Sequence, residues 1–289
     1  MTFLVIGATG AQGGAVAREL VASGQRVRGL ARSDRMPDGV RPFVGDLGDA
    51  ALVNAAFTGV SHASVLLPMV YEPELVAAYV RNVIEAAQAA GVERLVFNTG
   101  NRTPPEATGV AAFETRRAAV ASLLESGVPT VVLRPPVYLD NLLAPWVAGP
   151  LASEGLLRYP LPAGLPVAWL SHADLATITV AALTRDGLDG AVLDVGGPDT
   201  VTGTELAAAF GPEVRYAEQD VDEFEHALAR ALGEPTAAGV AATYRWLATT
   251  AGAVDPVDPD MVDPGLAERL GVRLTPLREW IAAQPWPSA

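Results

Sequence analysis

Apolar residues in the first half of the chain arrive in short unbroken runs, separated by stretches where they recur at helical spacing. The runs are "TFLVIG" (2–7), "RVRGLAR" (26–32), "RPFVGDL" (41–47), "HASVLLP" (62–68), "RLVFNTG" (94–100) and "TVVLRPP" (130–136). Helices are predicted at about 13–23, 49–57, 72–90 and 112–126, the first with Val16, Leu20 and Val21 on one face. Gly24, Gly91 and Gly127 close three of them, as suits a helix C-terminus. Strand–helix alternation predicts a parallel sheet with right-handed crossovers, and continuous rather than alternating apolar strands predict helices on both faces. The expected fold class is α/β, a doubly wound parallel sheet of the Rossmann type.

After Pro135 and Pro136 the texture changes to proline, glycine and large apolar residues, which reads as a helix and loops. "WLSHADLATITVAALTR" (169–185) then predicts a helix and "AVLDVGGP" (191–198) a strand. The expected organisation is a nucleotide-binding domain over 1–136, rejoined by the segment around 168–198, with a smaller substrate lobe over 137–289. The acidic stretch "VDPVDPDMVDP" (254–264) reads as a solvated connection.

Composition narrows the function. A net charge of −13 argues against a nucleic-acid partner, which requires clustered positive charge. No apolar run is long enough for a membrane span, and the N-terminal segment has no basic region like that of a signal peptide, so a cytoplasmic location is expected. All 20 basic residues are arginine, which excludes a lysine acid, a Schiff base or a Walker-type lysine. With no cysteine there is no disulfide, thiolate metal site or thiol nucleophile. His62, His172 and His226 have no ligand-type partner at helical spacing, so no metal is expected.

The segment "VIGATGAQGGAVARELVASG" (5–24) carries the candidate chemistry. Gly7, Gly10 and Gly13 follow a strand and open a helix, the context of a dinucleotide cradle. One glycine permits the tight turn, one lets backbone N–H groups approach a pyrophosphate, and one lets helix and strand pack closely. An NAD site usually ends its second strand in an acid, but here Arg32 and Ser33 stand there. Arginine pairs with a 2′-phosphate, so NADP(H) is preferred, while Asp34 keeps NAD(H) open.

With these residues the chain resembles the NmrA-like group, an atypical branch of the short-chain dehydrogenase/reductase superfamily. The resemblance rests on "GATGAQGG", "LAR" (30–32), "GDLGD" (45–49), "AAQAAGVERLVFNTG" (86–100), "LLESGVPTVVLRPPVYLDNLL" (123–143) and "LDVGGPDTVTGTELAAAF" (193–210). It implies that Gly7, Thr9, Gly10, Gln12 and Gly13 line the pyrophosphate and that Arg32 meets the 2′-phosphate. Asp46 and Leu47 would flank the adenine, Leu67 and Pro68 would pass beneath the ribose and nicotinamide, and Thr99 and Gly100 would lie near the nicotinamide. Tyr138 and Asn141 would border the substrate cavity.

The resemblance also exposes a departure. Ordinary members of the superfamily use a Tyr-x-x-x-Lys pair, which a lysine-free chain cannot form. Reductases of the NmrA-like branch often keep a lysine on the helix after the fifth strand. Here that place falls in "AFETRRAAV", at Arg116, which can donate hydrogen bonds but cannot give up a proton in the usual way. The candidate catalytic residues are therefore Arg116, Tyr138 and Thr99. Trp146, Tyr159 and Trp169 read either as walls of an aromatic pocket or as lobe core, and His172 as a residue near the cavity rim.

The expected function is NADP(H)-dependent reduction of an apolar carbonyl, quinone or enone, by a monomer or homodimer. The alternatives are a non-catalytic NADP(H)-sensing regulator and an isomerase or cyclase that retains the cofactor.

Overall fold

The computed structural model describes residues 1–250, 262, 263 and 265–286. Nearly all of the acidic stretch 254–264 lies outside the described residues.

Seven strands form one sheet: β1 (Thr2–Ile6), β2 (Arg26–Ala31), β3 (Val40–Val44), β4 (His62–Leu66), β5 (Arg94–Asn98), β6 (Thr130–Arg134) and β8 (Val192–Asp194). Their order is β3-β2-β1-β4-β5-β6-β8, and every neighbouring pair is parallel. The sheet is a Rossmann-like α/β fold, doubly wound, and strand order reverses between β1 and β4.

Strand residues alternate between two dry faces. Phe3 and Val5 pack with Val16 and Leu20 of α1 (Ala11–Ala22) and with Leu175 and Ile178 of α6 (His172–Thr184). Leu4 and Ile6 point the other way, toward α2 (Ala50–Phe57), α3 (Pro73–Ala90) and α4 (Ala111–Glu125). Burial on both faces is why these strands read as continuous apolar runs. Local signals fix the helix ends: Asp49 accepts from Leu52 N–H at 3.0 Å to start α2, Pro73 opens α3, and Gly91 ends it in the left-handed conformation.

A third apolar cluster lies beyond the sheet. It gathers α5 (Pro145–Glu154), β7 (Leu156–Tyr159), α7 (Gly203–Phe210), α8 (Val221–Leu232), α9 (Glu234–Thr250) and α11 (Leu277–Ala283), around Leu157, Tyr159, Trp169, Leu206, Phe224 and Trp280. The short α10 (Leu266–Arg269) instead returns Leu266 to the α1/α6 face.

Two expectations change here. The helix foreseen at 169–185 starts later, because Leu170 bridges to Tyr138 and Ser171 caps α6, accepting from Asp174 N–H at 2.9 Å. The region after β6 also holds a parallel pair that the hydrophobic pattern does not announce, β7 with β9 (Arg215–Glu218). Among the described residues, no helix is long and apolar enough to cross a membrane.

Candidate functional site

The carboxyl ends of β1, β2, β4, β5 and β6 open into one continuous cavity of about 1000 Å³. One part of its wall is the turn after β1. Gly7 takes φ +78°, a conformation strained for any side chain, and its carbonyl oxygen accepts from Gly10 N–H at 2.9 Å. Gly10 then precedes α1 with no side-chain cap, so the first N–H groups of that helix face the cavity. A cradle of bare donors at a helix N-terminus suits an anion.

Gly13 does not line the cavity, which corrects its placement at the pyrophosphate. It is buried, and a Cβ there would sit 2.3 Å from the Gly7 carbonyl oxygen. Its role is close packing of α1 beneath the turn.

Thr9, Gln12, Arg32, Ser33, Asp46, Leu47, Leu67, Pro68, Thr99 and Gly100 all lie on the cavity wall. Arg32 is exposed at the end of β2 and forms no ion pair among the described residues. Ser33 is partly committed, its hydroxyl accepting from Arg35 N–H at 3.2 Å. Asp46 does not cap α2. It accepts from Gly48 N–H at 2.8 Å, and Tyr79 behind it is pushed up, first by burial and then by this carboxylate. The Thr99 hydroxyl is turned to the backbone carbonyls of Leu133 and Asn101, so the residue meets the cavity with that proton already engaged.

A polar knot joins the turn to the ends of β5 and β6. The Gln12 side-chain oxygen accepts from Asn98 at 2.8 Å and from Tyr138 at 3.0 Å. Burial pushes the Tyr138 phenol up, far beyond its ordinary value, so it stays protonated at neutral pH. The Tyr138 ring lies 4.8 Å from that of His172, and Asp140 receives both the His172 backbone N–H at 2.8 Å and its Nδ1 at 3.3 Å. Burial alone would raise the Asp140 pKa, but these His172 contacts together outweigh it and hold the carboxyl low. His172 lines the cavity, and its Nε2 is buried with no hydrogen-bond partner among the described residues.

Arg116 is buried on α4 rather than solvated. Its guanidinium donates to the Pro68 carbonyl at 2.7 Å and to that of Val70 at 3.4 Å, and it lies 5.7 Å from the Tyr71 ring centre. No carboxylate pairs with it among the described residues. Burial lowers its pKa, yet a guanidinium begins so high that it remains a cation.

The remaining wall is apolar: the rings of Tyr71, Phe113, Trp146, Tyr159, Phe224 and Tyr244 stand with aliphatic residues such as Leu143, Leu228, Val240 and Leu247, with Asn141 among them. Trp169 is not part of it, which corrects its reading as a substrate contact. Its ring is buried edge-on against Tyr159 at 5.1 Å, in the third apolar cluster. Phe224 and Tyr244 were not singled out from sequence. The apolar stripe of Phe224, Ala227 and Leu228 is readable as a helix face, but which cavity that face closes is set by long-range packing.

A doubly wound parallel sheet with an uncapped glycine turn at its switch point defines a Rossmann-type α/β protein. The sequence profile of the NmrA-like family matches residues 1–267, and the chain belongs to that family. A (4-alkanoyl-5-oxo-2,5-dihydrofuran-3-yl)methyl phosphate reductase of Streptomyces griseus is 33% identical over 290 residues, 96% of each chain. An NAD(P)H azoreductase of Xenophilus azovorans is 30% identical over 237 residues, 78% of this chain and 79% of its own. Among solved structures, the Escherichia coli NADPH-dependent quinone oxidoreductase complexed with NADPH superposes with a TM-score of 0.73 at 24% identity, over 98% of this chain and 99% of that one. At that identity the likeness is one of fold.

Proposed function

We propose that this protein is an NADP(H)-dependent reductase of a flat conjugated carbonyl compound, a quinone or an enone. The observation that carries this reading is the continuity of the cavity. An anion cradle and Arg32 form one part of its wall, and aromatic rings form another. Two relatives matched over more than three quarters of both chains are named as reductases, one of them NAD(P)H-dependent by name. The compound in the first relative's name is a methyl phosphate ester on an oxo-dihydrofuran bearing an alkanoyl group, so it joins a conjugated carbonyl framework to a charged phosphate.

The residues fit the cofactor. Gly7 and Gly10 leave room at an uncapped helix end for a pyrophosphate, and Arg32 is a free cation for a 2′-phosphate. When bound, the reduced nicotinamide would supply a hydride. The chain's own contribution is electrostatic and steric. Arg116 offers a desolvated positive charge toward an oxygen that gains negative charge, without giving up a proton, and the resulting anion takes its proton from solvent. The aromatic wall selects an apolar, planar substrate. Residues 137–289 supply most of that wall and, in this reading, act as the substrate lobe.

The test is NADPH oxidation, followed at 340 nm, with a panel of quinones and enones. Turnover with at least one panel member is expected. Tight NADPH binding without turnover of any member would favour the sensing regulator, and product formed without net NADPH oxidation would favour an isomerase.

A further inference from the structure

Part of the cavity wall, built by the end of β7 and by α9, holds two buried phenols. The Tyr159 and Tyr244 oxygens are 2.6 Å apart, and the Asn141 side chain donates to the Tyr159 oxygen at 3.0 Å. Both rings are clamped. Tyr159 sits against Trp169 at 5.1 Å and Tyr244 against Phe224 at 5.0 Å, each edge-on.

Two phenols bring two protons. Tyr159 is 1% exposed, and its oxygen already accepts from Asn141. The acceptor within reach of its own proton is the Tyr244 oxygen. Tyr244 then keeps a proton with no acceptor among the described residues; both tyrosines line the cavity, and Tyr244 is the less buried residue of the two, 8% exposed against 1%. Burial pushes the Tyr244 phenol up to about 12, partly offset by the bond from Tyr159, so the proton is present throughout the neutral range. A buried donor without an acceptor carries its full desolvation penalty until something in the cavity accepts from it.

We propose that the Tyr244 hydroxyl is the substrate anchor of this site, donating to a carbonyl oxygen of a flat conjugated ligand, with Asn141 and Tyr159 fixing its direction. This names the polar feature such a ligand must carry, and it rests on the reductase reading for the ligand's class. The apolar wall around the pair makes the anchor selective: a hydrocarbon of the same shape gains contact area but leaves the phenol unanswered.

The test compares 1,4-naphthoquinone with naphthalene, a pair of similar shape with and without carbonyl oxygens. Binding is measured by tryptophan fluorescence in the presence of NADP⁺, which prevents turnover. The chain has no cysteine, so the quinone forms no thiol adduct. In Tyr244→Phe, naphthoquinone affinity should fall about tenfold, as for loss of one buried hydrogen bond, while naphthalene affinity and the NADP⁺ dissociation constant stay unchanged. Tyr159→Phe should weaken the quinone less than Tyr244→Phe does. The carbonyl stretch of naphthoquinone bound to wild-type protein should move to lower frequency than in an apolar solvent, a readout that needs no variant to fold. Unchanged quinone affinity in Tyr244→Phe, equal loss of both probes, a larger effect of Tyr159→Phe, or an unshifted carbonyl band each overturns the anchor while leaving the reductase reading intact. Wild-type protein that binds NADP⁺ but neither probe overturns the anchor and removes quinones of this shape from the reductase reading.

Discussion

Tyr138 donates its hydroxyl proton to the side-chain oxygen of Gln12, 3.0 Å away, and Asn98 donates to the same oxygen at 2.8 Å. One amide thus ties the first turn of α1 to the end of β5 and to the segment after β6. The Tyr138 proton is spent on this bond, and burial holds the phenol in its neutral form. Tyr138→Phe should therefore cost about 0.5–1.5 kcal/mol of stability in urea unfolding. It should leave kcat close to wild type. A fall in kcat of roughly 10²–10⁴-fold, the scale of a lost general acid, would make Tyr138 the proton donor instead.

Arg32 is exposed on the cavity wall and forms no ion pair among the described residues. In Arg32→Ala, NADPH binding should weaken by about 1–3 kcal/mol, the scale of a charge-assisted hydrogen bond, while NADH binding stays unchanged. Titration of both cofactors against both proteins checks this. Equal losses for NADPH and NADH would remove Arg32 from 2′-phosphate recognition.

What the sequence makes legible follows the range of the forces involved. The sheet is readable because each strand is buried on both faces, and Phe3 to Ile6 carry that in four consecutive residues. The glycine turn is readable because its demands are local: a positive φ at Gly7 and a close approach at Gly13. Arg116 was readable in part, since it shares a stripe with Ala112, Phe113, Ala119 and Leu123 and is buried with them. The pairing of β7 with β9 was not, because two four-residue strands far apart in the chain leave little pattern. Trp169 was misplaced for a similar reason. The Tyr138–Leu170 bridge turns the chain so that Tyr138 meets the cavity while Trp169 points into the third cluster. Tyr244 and Phe224 reach the cavity through the packing of α8 on α9, which no local signal encodes.

Gly13→Ala would place a methyl 2.3 Å from the Gly7 carbonyl oxygen, against backbone that cannot swing aside as a side chain does. The expected loss is at least about 1–3 kcal/mol of stability, the scale of an overpacked core. NADPH affinity should fall with it, because the displaced carbonyl belongs to the turn itself. Thermal melts with and without NADPH separate the two effects. A variant with wild-type melting temperature and cofactor affinity would show that α1 can slide away without consequence.

Arg116 is a buried cation answered by carbonyl dipoles and a ring face rather than by a carboxylate. Removing such a charge relieves its desolvation penalty but leaves the Pro68 and Val70 carbonyls without their donor, so Arg116→Met should cost no more than about 1–3 kcal/mol of stability. Its effect should fall on kcat/KM, reduced at least about tenfold, the scale of one charge-assisted contact in the transition state. Lysine cannot span the Pro68 and Val70 carbonyls as a guanidinium fork does, so Arg116→Lys should recover only part of the activity. A large drop in stability with unchanged kcat/KM would make Arg116 a brace for the loop after β4 and nothing more.

Alkaline stability gives a test of the buried phenols as a group. All six tyrosines have their pKa raised, with burial the largest cause in each, and Tyr244 is pushed up to about 12. The unfolded chain releases phenol protons near the ordinary value of about 10. The folded state thus favours the neutral phenol, and that contribution is complete below about pH 10. It declines as pH rises from there and is gone once the folded phenols themselves ionise, near pH 12 for Tyr244. Within that window each such tyrosine should remove about 1.4 kcal/mol of stability per pH unit. The chain suits the measurement, because with neither lysine nor cysteine tyrosine is the side chain that titrates there. Urea unfolding from about pH 8 to 11.5, with tyrosinate absorbance at 295 nm followed in parallel, should show unfolding and ionisation arriving together. Tyr244→Phe and Tyr159→Phe should each flatten the decline. Stability independent of pH up to 11.5 would mean that the phenols are open to solvent, and the Tyr159–Tyr244 pair would then have no sealed proton to direct.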